Sequence, residues 1–169
     1  MKELKRRKLI APIKDAIGEG KPFLGLCLGL QLLFEKSAEA PGVKGLAILK
    51  GESKRFKSQI TSHKSQVFKV PHMGWNNIKV ASHPAHETRG GAGKSEVTSI
   101  LKGVPSGSYM YFVHSYYVAP EDRSAILTTT DYGLNFVSGI CKDNIYAFQF
   151  HPEKSQETGL RILKNFVRL

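Results

Sequence analysis

The stretch that most constrains the fold is Lys21-Pro22-Phe23-Leu24-Gly25-Leu26-Cys27-Leu28-Gly29-Leu30-Gln31-Leu32-Leu33-Phe34. It reads as a short apolar strand, a glycine-flanked turn and a helix, with Cys27 at the turn. This is the layout of a nucleophile elbow with sulfur in place of oxygen. Gly25 and Gly29 leave room for a sharp bend and a close approach of backbone to backbone. A sulfur at a helix N-terminus lies beside free N–H groups and the positive end of the dipole, which favours the thiolate, the nucleophilic form. The N–H of Leu28 points to where an oxyanion would form. Taken alone, a cysteine in an apolar run is more often a small buried hydrophobe, so a second stretch has to carry the argument.

That stretch is Tyr146-Ala147-Phe148-Gln149-Phe150-His151-Pro152-Glu153-Lys154-Ser155. A buried strand ends in His, Pro and Glu. A cysteine nucleophile needs a base to take its proton and return it to the leaving group, and the base needs an acceptor on its other ring nitrogen. His151 and Glu153, two apart in extended chain, point to one side. Glu153 is thus placed to orient His151, and His151 to reach a sulfur on a neighbouring strand end. In open α/β sheets, sites gather at the carboxyl ends of strands.

The rest of the chain fills in an α/β domain. Residues 2–17 read as one helix with Leu9, Ile13, Ala16 and Ile17 on its apolar face, and a second helix runs from Leu28 to about residue 38. Gly45–Leu49, Ser53–Phe56 and Trp75–Val80 read as strands, with Val67–Val70 pairing a neighbour. Residues 57–66 read as a polar loop and 82–94 as a mobile surface loop. The last third, Tyr109–Val113, Ser124–Thr130, Phe136–Cys141 and Ile145–Phe150, is strand-rich, the last two forming a hairpin. A final helix from about residue 157 turns Leu160, Leu163, Phe166 and Val167 inward. The pattern predicts a single domain over 1–169 with a three-layer open sheet.

No apolar run is long enough to span a bilayer, and two cysteines make no disulfide framework, which predicts a reducing, cytoplasmic setting. The net charge of +11 raises nucleic acid as a partner. The basic residues are spread along the chain, however, and no nucleic-acid-binding motif accompanies them. A solvated basic surface, or a dock for an acidic partner or a phosphorylated substrate, is the preferred reading, and nucleic acid is not the expected partner. His83 and His86, three apart, lack a carboxylate or cysteine framework, so no metal or other cofactor is expected.

Gly25-x-Cys27-x-Gly29-x-Gln31 together with His151-Pro152-Glu153 resembles the class I (triad) glutamine amidotransferases. Three stretches, Pro71-His72-Met73-Gly74-Trp75-Asn76, Tyr111-Phe112-Val113-His114-Ser115-Tyr116 and His151-Pro152-Glu153-Lys154-Ser155, are similar to the glutaminase subunits of imidazole glycerol phosphate synthases. The resemblance implies that Cys27 attacks the side-chain amide of glutamine, with His151 and Glu153 completing the triad. It implies that Leu28, Gly29, Gln31 and the backbone of His114, Ser115 and Tyr116 hold glutamine and its oxyanion. Ammonia would pass to a (β/α)8-barrel cyclase subunit in a heterodimer of histidine biosynthesis, with Trp75, Asn76, Tyr111 and Lys154 near that interface. In the family a strand–helix–strand unit precedes the helix matching 2–17, and its glycine-containing loop supplies a second oxyanion donor. The reading is of an N-terminally short domain without that unit, and one lost donor costs on the order of a hundredfold to a thousandfold in rate.

Two alternatives stand beside this. One is the glutaminase of a different synthase, or a γ-glutamyl hydrolase-like cysteine hydrolase, against which Asn76 and Lys154 argue. The other is a truncated, non-catalytic basic binding module, which salt-dependent nucleic-acid binding would reveal.

Overall fold

The computed structural model describes residues 1–57, 59–60, 67–81 and 99–169. The principal sheet is mixed, in the order β1 (Phe23–Leu26), β12 (Ile145–Phe148), β11 (Asn135–Lys142), β9 (Tyr116–Pro120), β3 (Leu49–Arg55), β2 (Phe34–Ser37). β10 (Ile126–Asp131) also pairs with β11, and β7 (Lys79–Val80) with β10. β1 and β12 run parallel, as do β2 and β3. β4 (Gln59–Ile60) pairs with β5 (Val67–Phe68), and β6 (His72–Asn77) forms a separate antiparallel ribbon with β8 (Tyr109–His114).

β12 is apolar throughout because both its faces are covered. Ile145 and Ala147 join one core with Val137, Ile140, Leu30 and Leu33, against which the helices α1 (Lys2–Arg6) and α2 (Ile10–Gly18) pack through Leu4, Ile10, Ile13 and Ile17. Tyr146 and Phe148 join the other, with Phe112, Phe136, Phe150 and Ile162 of the C-terminal helix α4 (Gln156–Phe166). Alternate side chains of one strand thus build two cores, and the sheet lies between two layers, as the sequence predicts. Burying six aromatic or aliphatic side chains of this size stabilises by roughly 2 kcal/mol each.

Several sequence expectations are corrected. Residues 2–17 form two helices, broken around Lys8, whose φ is +55°. The helix after Cys27, α3 (Leu28–Leu32), ends after five residues and the chain continues as strand β2. The apolar positions Leu30, Leu33 and Phe34 have helical spacing, but the carbonyls of Leu32 and Leu33 accept from the N–H groups of Leu46, Ile48 and Leu49 at 2.7–3.0 Å instead of continuing a helix. This return pass is close: a Cβ on Gly45 would collide with the Phe34 carbonyl oxygen. Leu49–Arg55 is one strand where two were expected, at 45–49 and 53–56. Gln59–Ile60 is strand rather than loop. Residues 58 and 61–66 of the polar loop, the 82–94 loop and the His83/His86 pair lie outside the described residues. In α4, Gly159 and Ile162 are buried while Leu160, and Val167 just past the helix end, face solvent. Gly159 sets this rotation, since a Cβ there would run into the Pro152 carbonyl. Among the described residues no helix is long and apolar enough to cross a membrane.

Candidate active site

The elbow forms as its glycines require, with one difference. A Cβ on Gly25 would meet the Gly29 backbone at 3.0 Å, so the strand and α3 approach this closely only with glycine there. At Gly29 the same position is open space. Cys27 itself has φ +49°, ψ −102°, a conformation L-residues rarely adopt. Its N–H donates to the Phe148 carbonyl at 2.8 Å, continuing the parallel β1–β12 ladder. Residue 27 and residues 149–151 therefore leave adjacent strands at the same end of the sheet.

His151 is fixed from several sides. Its Nδ1 lies 2.6 Å from Glu153 Oε1. Its backbone N–H donates to the Tyr111 carbonyl at 2.9 Å, and its own carbonyl accepts from Ser155 Oγ at 2.6 Å. Ser155 Oγ in turn accepts from the Tyr111 N–H at 3.0 Å. With Nδ1–H donated to the carboxylate, Nε2 carries the lone pair. That Nε2 is buried and has no hydrogen-bond partner among the described residues, which leaves it an unspent base. Sequence spacing anticipated the His151–Glu153 contact.

The sulfur departs from expectation. Burial pushes the Cys27 thiol up from its ordinary value, although the Leu28 N–H and the Gln149 carboxamide both pull it down. α3 is one short turn, too little dipole to offset desolvation. The resting form is thus the thiol, which makes a base a requirement. Sγ lies 4.0 Å from the Val113 carbonyl and accepts from Gln149 Nε2 at 3.7 Å.

Beside the sulfur is a cavity of about 330 Å³ lined by Cys27, Leu28, Gln31, Glu39, Pro71 and Val113 together with His114, Ser115 and Tyr116. Six of the residues singled out in sequence meet here. Gln31 does not offer its amide N–H groups to the cavity, since Nε2 donates to the Tyr116 carbonyl at 3.3 Å and to Gln149 Oε1 at 3.2 Å. His114 is buried, with its ring turned to protein partners rather than free for a ligand. Its Nδ1 lies 2.8 Å from the Tyr116 carbonyl and its Nε2 2.9 Å from His72 Nδ1; His72 Nε2 lies 3.3 Å from Asn76 Nδ2.

The direction of this chain follows from its ends. The Asn77 N–H donates to Asn76 Oδ1 at 2.8 Å, so Asn76 Nδ2 is the donor towards His72. His72 then carries its proton on Nδ1, donates to His114 Nε2, and His114 donates through Nδ1 to Tyr116. Both rings are neutral. Burial lowers His72 to about 3 and His114 to about 4, each helped by a neighbouring imidazole.

Sequence reasoning missed Gln149, Glu39 and the role of His72. The signals were present as a lone amide in the apolar run 146–150 and as a histidine pair at the two ends of β-prone segments. Of the expected interface residues, Trp75, Tyr111 and Lys154 lie together: the Trp75 and Tyr111 rings meet edge-on at 6.0 Å, and Lys154 Nζ sits 6.0 Å from the Tyr111 centroid. Asn76 is the exception. It alternates to the opposite face of the ribbon, where Nδ2 also donates to the Asp131 carbonyl at 2.8 Å.

The sequence model of the family "Glutamine amidotransferase class-I" matches residues 2–169. The chain belongs to this family. Among its curated relatives, the imidazole glycerol phosphate synthase subunit HisH of Aquifex aeolicus is 49% identical over 168 residues, covering 99% of this chain and 70% of the relative. HisH of Syntrophotalea carbinolica is 46% identical over 166 residues, covering 98% and 73%. A solved glutamine amidotransferase from Thermotoga maritima shares the amidotransferase fold with a TM-score of 0.56 at 17% identity, covering 96% of this chain and 54% of that one. The chain thus spans a little under three quarters of the length of these HisH relatives and about half of that solved chain. The HisH relationship favours the imidazole glycerol phosphate synthase reading over the other enzyme and binding-module alternatives.

Proposed function

We propose that residues 1–169 act as one amidotransferase domain, the glutaminase subunit of an imidazole glycerol phosphate synthase. The observation that carries this is the pairing of His151 with Glu153 through Nδ1, leaving a buried Nε2, without a hydrogen-bond partner among the described residues, at the strand end next to Cys27. In the reaction, Cys27 gives its proton to His151 Nε2 and the sulfur attacks the carboxamide carbon of glutamine. The oxyanion forms beside the Leu28 N–H. The imidazolium returns its proton to the amide nitrogen, the carbon–nitrogen bond breaks, and ammonia leaves a glutamyl thioester. Water, deprotonated by His151, then adds to the thioester carbonyl; the carbon–sulfur bond breaks, glutamate is released and Cys27 regains its proton. Glu153 holds His151 in the required tautomer throughout. Glu39, on the cavity wall, supplies a carboxylate for the α-ammonium group of the substrate.

The ribbon β6–β8 supplies the partner face. Its outward positions place Met73, Trp75 and Tyr109, all substantially exposed, beside Tyr111 and Lys154. Exposed aromatic and Met residues in one patch suit a protein partner, and the reading assigns it to the (β/α)8-barrel cyclase subunit that takes up the ammonia, in the cytoplasm. The test is ammonia release from glutamine, with and without the cyclase loaded with its nucleotide substrate. Turnover that rises with the cyclase and vanishes in Cys27→Ala, while the mutant still binds the cyclase, supports the assignment. Full activity in Cys27→Ala refutes it.

A further inference from the structure

The polar groups behind the sulfur carry one more assignment. Gln149 is fully buried, immediately beyond β12, in a run otherwise made of apolar side chains. Its main-chain N–H is tied to the Ser138 carbonyl at 2.9 Å, so the residue is anchored in the sheet. Its carboxamide is bonded at both ends: Oε1 accepts from Gln31 Nε2 at 3.2 Å, and Nε2 donates to Cys27 Sγ at 3.7 Å. Gln31 also donates to the Tyr116 carbonyl, the same oxygen that receives the His114 proton. Gln31 meets both partners as a donor, so Gln149 must present oxygen to it and nitrogen to the sulfur. The orientation of the Gln149 amide is thereby fixed from Gln31: two lines of hydrogen bonds meet at the Tyr116 carbonyl, one donated from Asn76 through His72 and His114, the other from Gln31, whose second N–H leads on through Gln149 to the sulfur.

We propose that Gln149 is a positioning residue for Cys27, its carboxamide locked by Gln31 and aimed so that one N–H meets the sulfur as the thiolate forms. A thiol accepts weakly and a thiolate strongly, so the contact tightens when the proton leaves for His151. Burial disfavours the charged sulfur, and a preset donor offsets part of that cost without any reorganisation at the moment of attack. A residue that merely filled the core would need no amide at this position, and a buried amide is costly unless bonded.

This inference rests on Cys27 being the nucleophile, and its test is kept separate from glutamine turnover. Iodoacetamide alkylation of Cys27 in the full chain, followed across pH through the mass of the Cys27 peptide, reads the sulfur with neither substrate nor partner present. Gln149→Met keeps the length and removes both hydrogen-bonding groups. The midpoint of its alkylation profile rises, and alkylation at neutral pH falls by about three- to tenfold. Gln149→Asn keeps the amide but draws it back from the sulfur, and shifts the midpoint in the same direction by less. Near-ultraviolet circular dichroism reports whether each variant retains native packing. An unshifted or lowered midpoint in the Met variant overturns the proposal. If that variant loses its packing, the Asn variant decides by the same criterion. A failed glutaminase assay with a shifted midpoint would leave this inference standing, and the reverse would remove it alone.

Discussion

The buried pair His72 and His114 makes the fold sensitive to acid in a defined window. At pH 8 both rings are neutral whether the chain is folded or unfolded. Below the ordinary value of 6.5 the unfolded chain takes up a proton on each ring, whereas the folded chain does so only near 4 at His114 and near 3 at His72. The unfolded state therefore binds more protons between about pH 6.5 and 4, and stability falls as the pH falls through that interval. Each ring contributes about 1.4 kcal/mol per pH unit there, so at pH 5 the pair has lost about 2 kcal/mol per ring, about 4 kcal/mol in all. Against a domain stability of roughly 5–15 kcal/mol this is a large fraction. Urea unfolding followed by far-ultraviolet circular dichroism at pH 8, 7, 6 and 5 measures it. The dependence halves in His72→Gln, which keeps a polar side chain in the gap between Phe112 and Tyr132 but removes one titrating ring. Equal unfolding free energies at pH 8 and pH 5, or an unchanged slope in the variant, would refute the neutral, directed chain derived from the hydrogen bonds.

Three further outcomes follow from the geometry. Glu153→Gln keeps the side-chain shape but removes the charge that stabilises imidazolium, and lowers kcat for glutamine by roughly a thousandfold with little change in melting temperature. Glu39→Gln raises KM for glutamine by about tenfold in steady-state kinetics, and, because it removes a negative charge that helps hold the Cys27 thiol up, it shifts the Cys27 alkylation midpoint slightly downward, opposite to Gln149→Met. Gly45→Ala forces a Cβ into the Phe34 carbonyl and destabilises by about 3 kcal/mol or more, read as a drop in melting temperature, because neither backbone segment is free to retreat.

The elbow, the His151–Glu153 pair and the β11–β12 hairpin were legible in sequence because each is set by neighbours in the chain. A turn flanked by glycines, a two-residue offset in extended backbone and a short connection between apolar strands are local signals. The errors have the opposite origin. Leu30, Leu33 and Phe34 keep helical spacing, but residues 46–49 compete for the helix carbonyls, and no local pattern announces that competitor. The sulfur's raised pKa comes from burial, which outweighs the Leu28 N–H and the Gln149 carboxamide, and the sulfur's neighbour at Val113 is 86 positions away in the chain. Asn76 lies on the opposite face of the ribbon from Trp75 because a strand sends alternate residues to opposite faces, which a contiguous motif does not display. Gln149 is not legible in sequence because a polar residue inside an apolar run shows no partner along the chain.

Strand β8 has a further consequence. Tyr109, Tyr111 and Val113 look one way and Met110, Phe112 and His114 the other, while its main chain anchors His151 through Tyr111. Change along these six residues is therefore partitioned. Of the outward side chains, Tyr109 and Tyr111 are free to drift with whatever surface they meet, since neither supports the base through its side chain, whereas Val113 lines the cavity beside the sulfur. The inward ones are held by the core and by the directed proton arrangement. On the interface proposed above, a lineage or an engineer seeking to mate this subunit with a different synthase would find its latitude at positions 73, 75, 109 and 111, and would meet resistance one residue to either side.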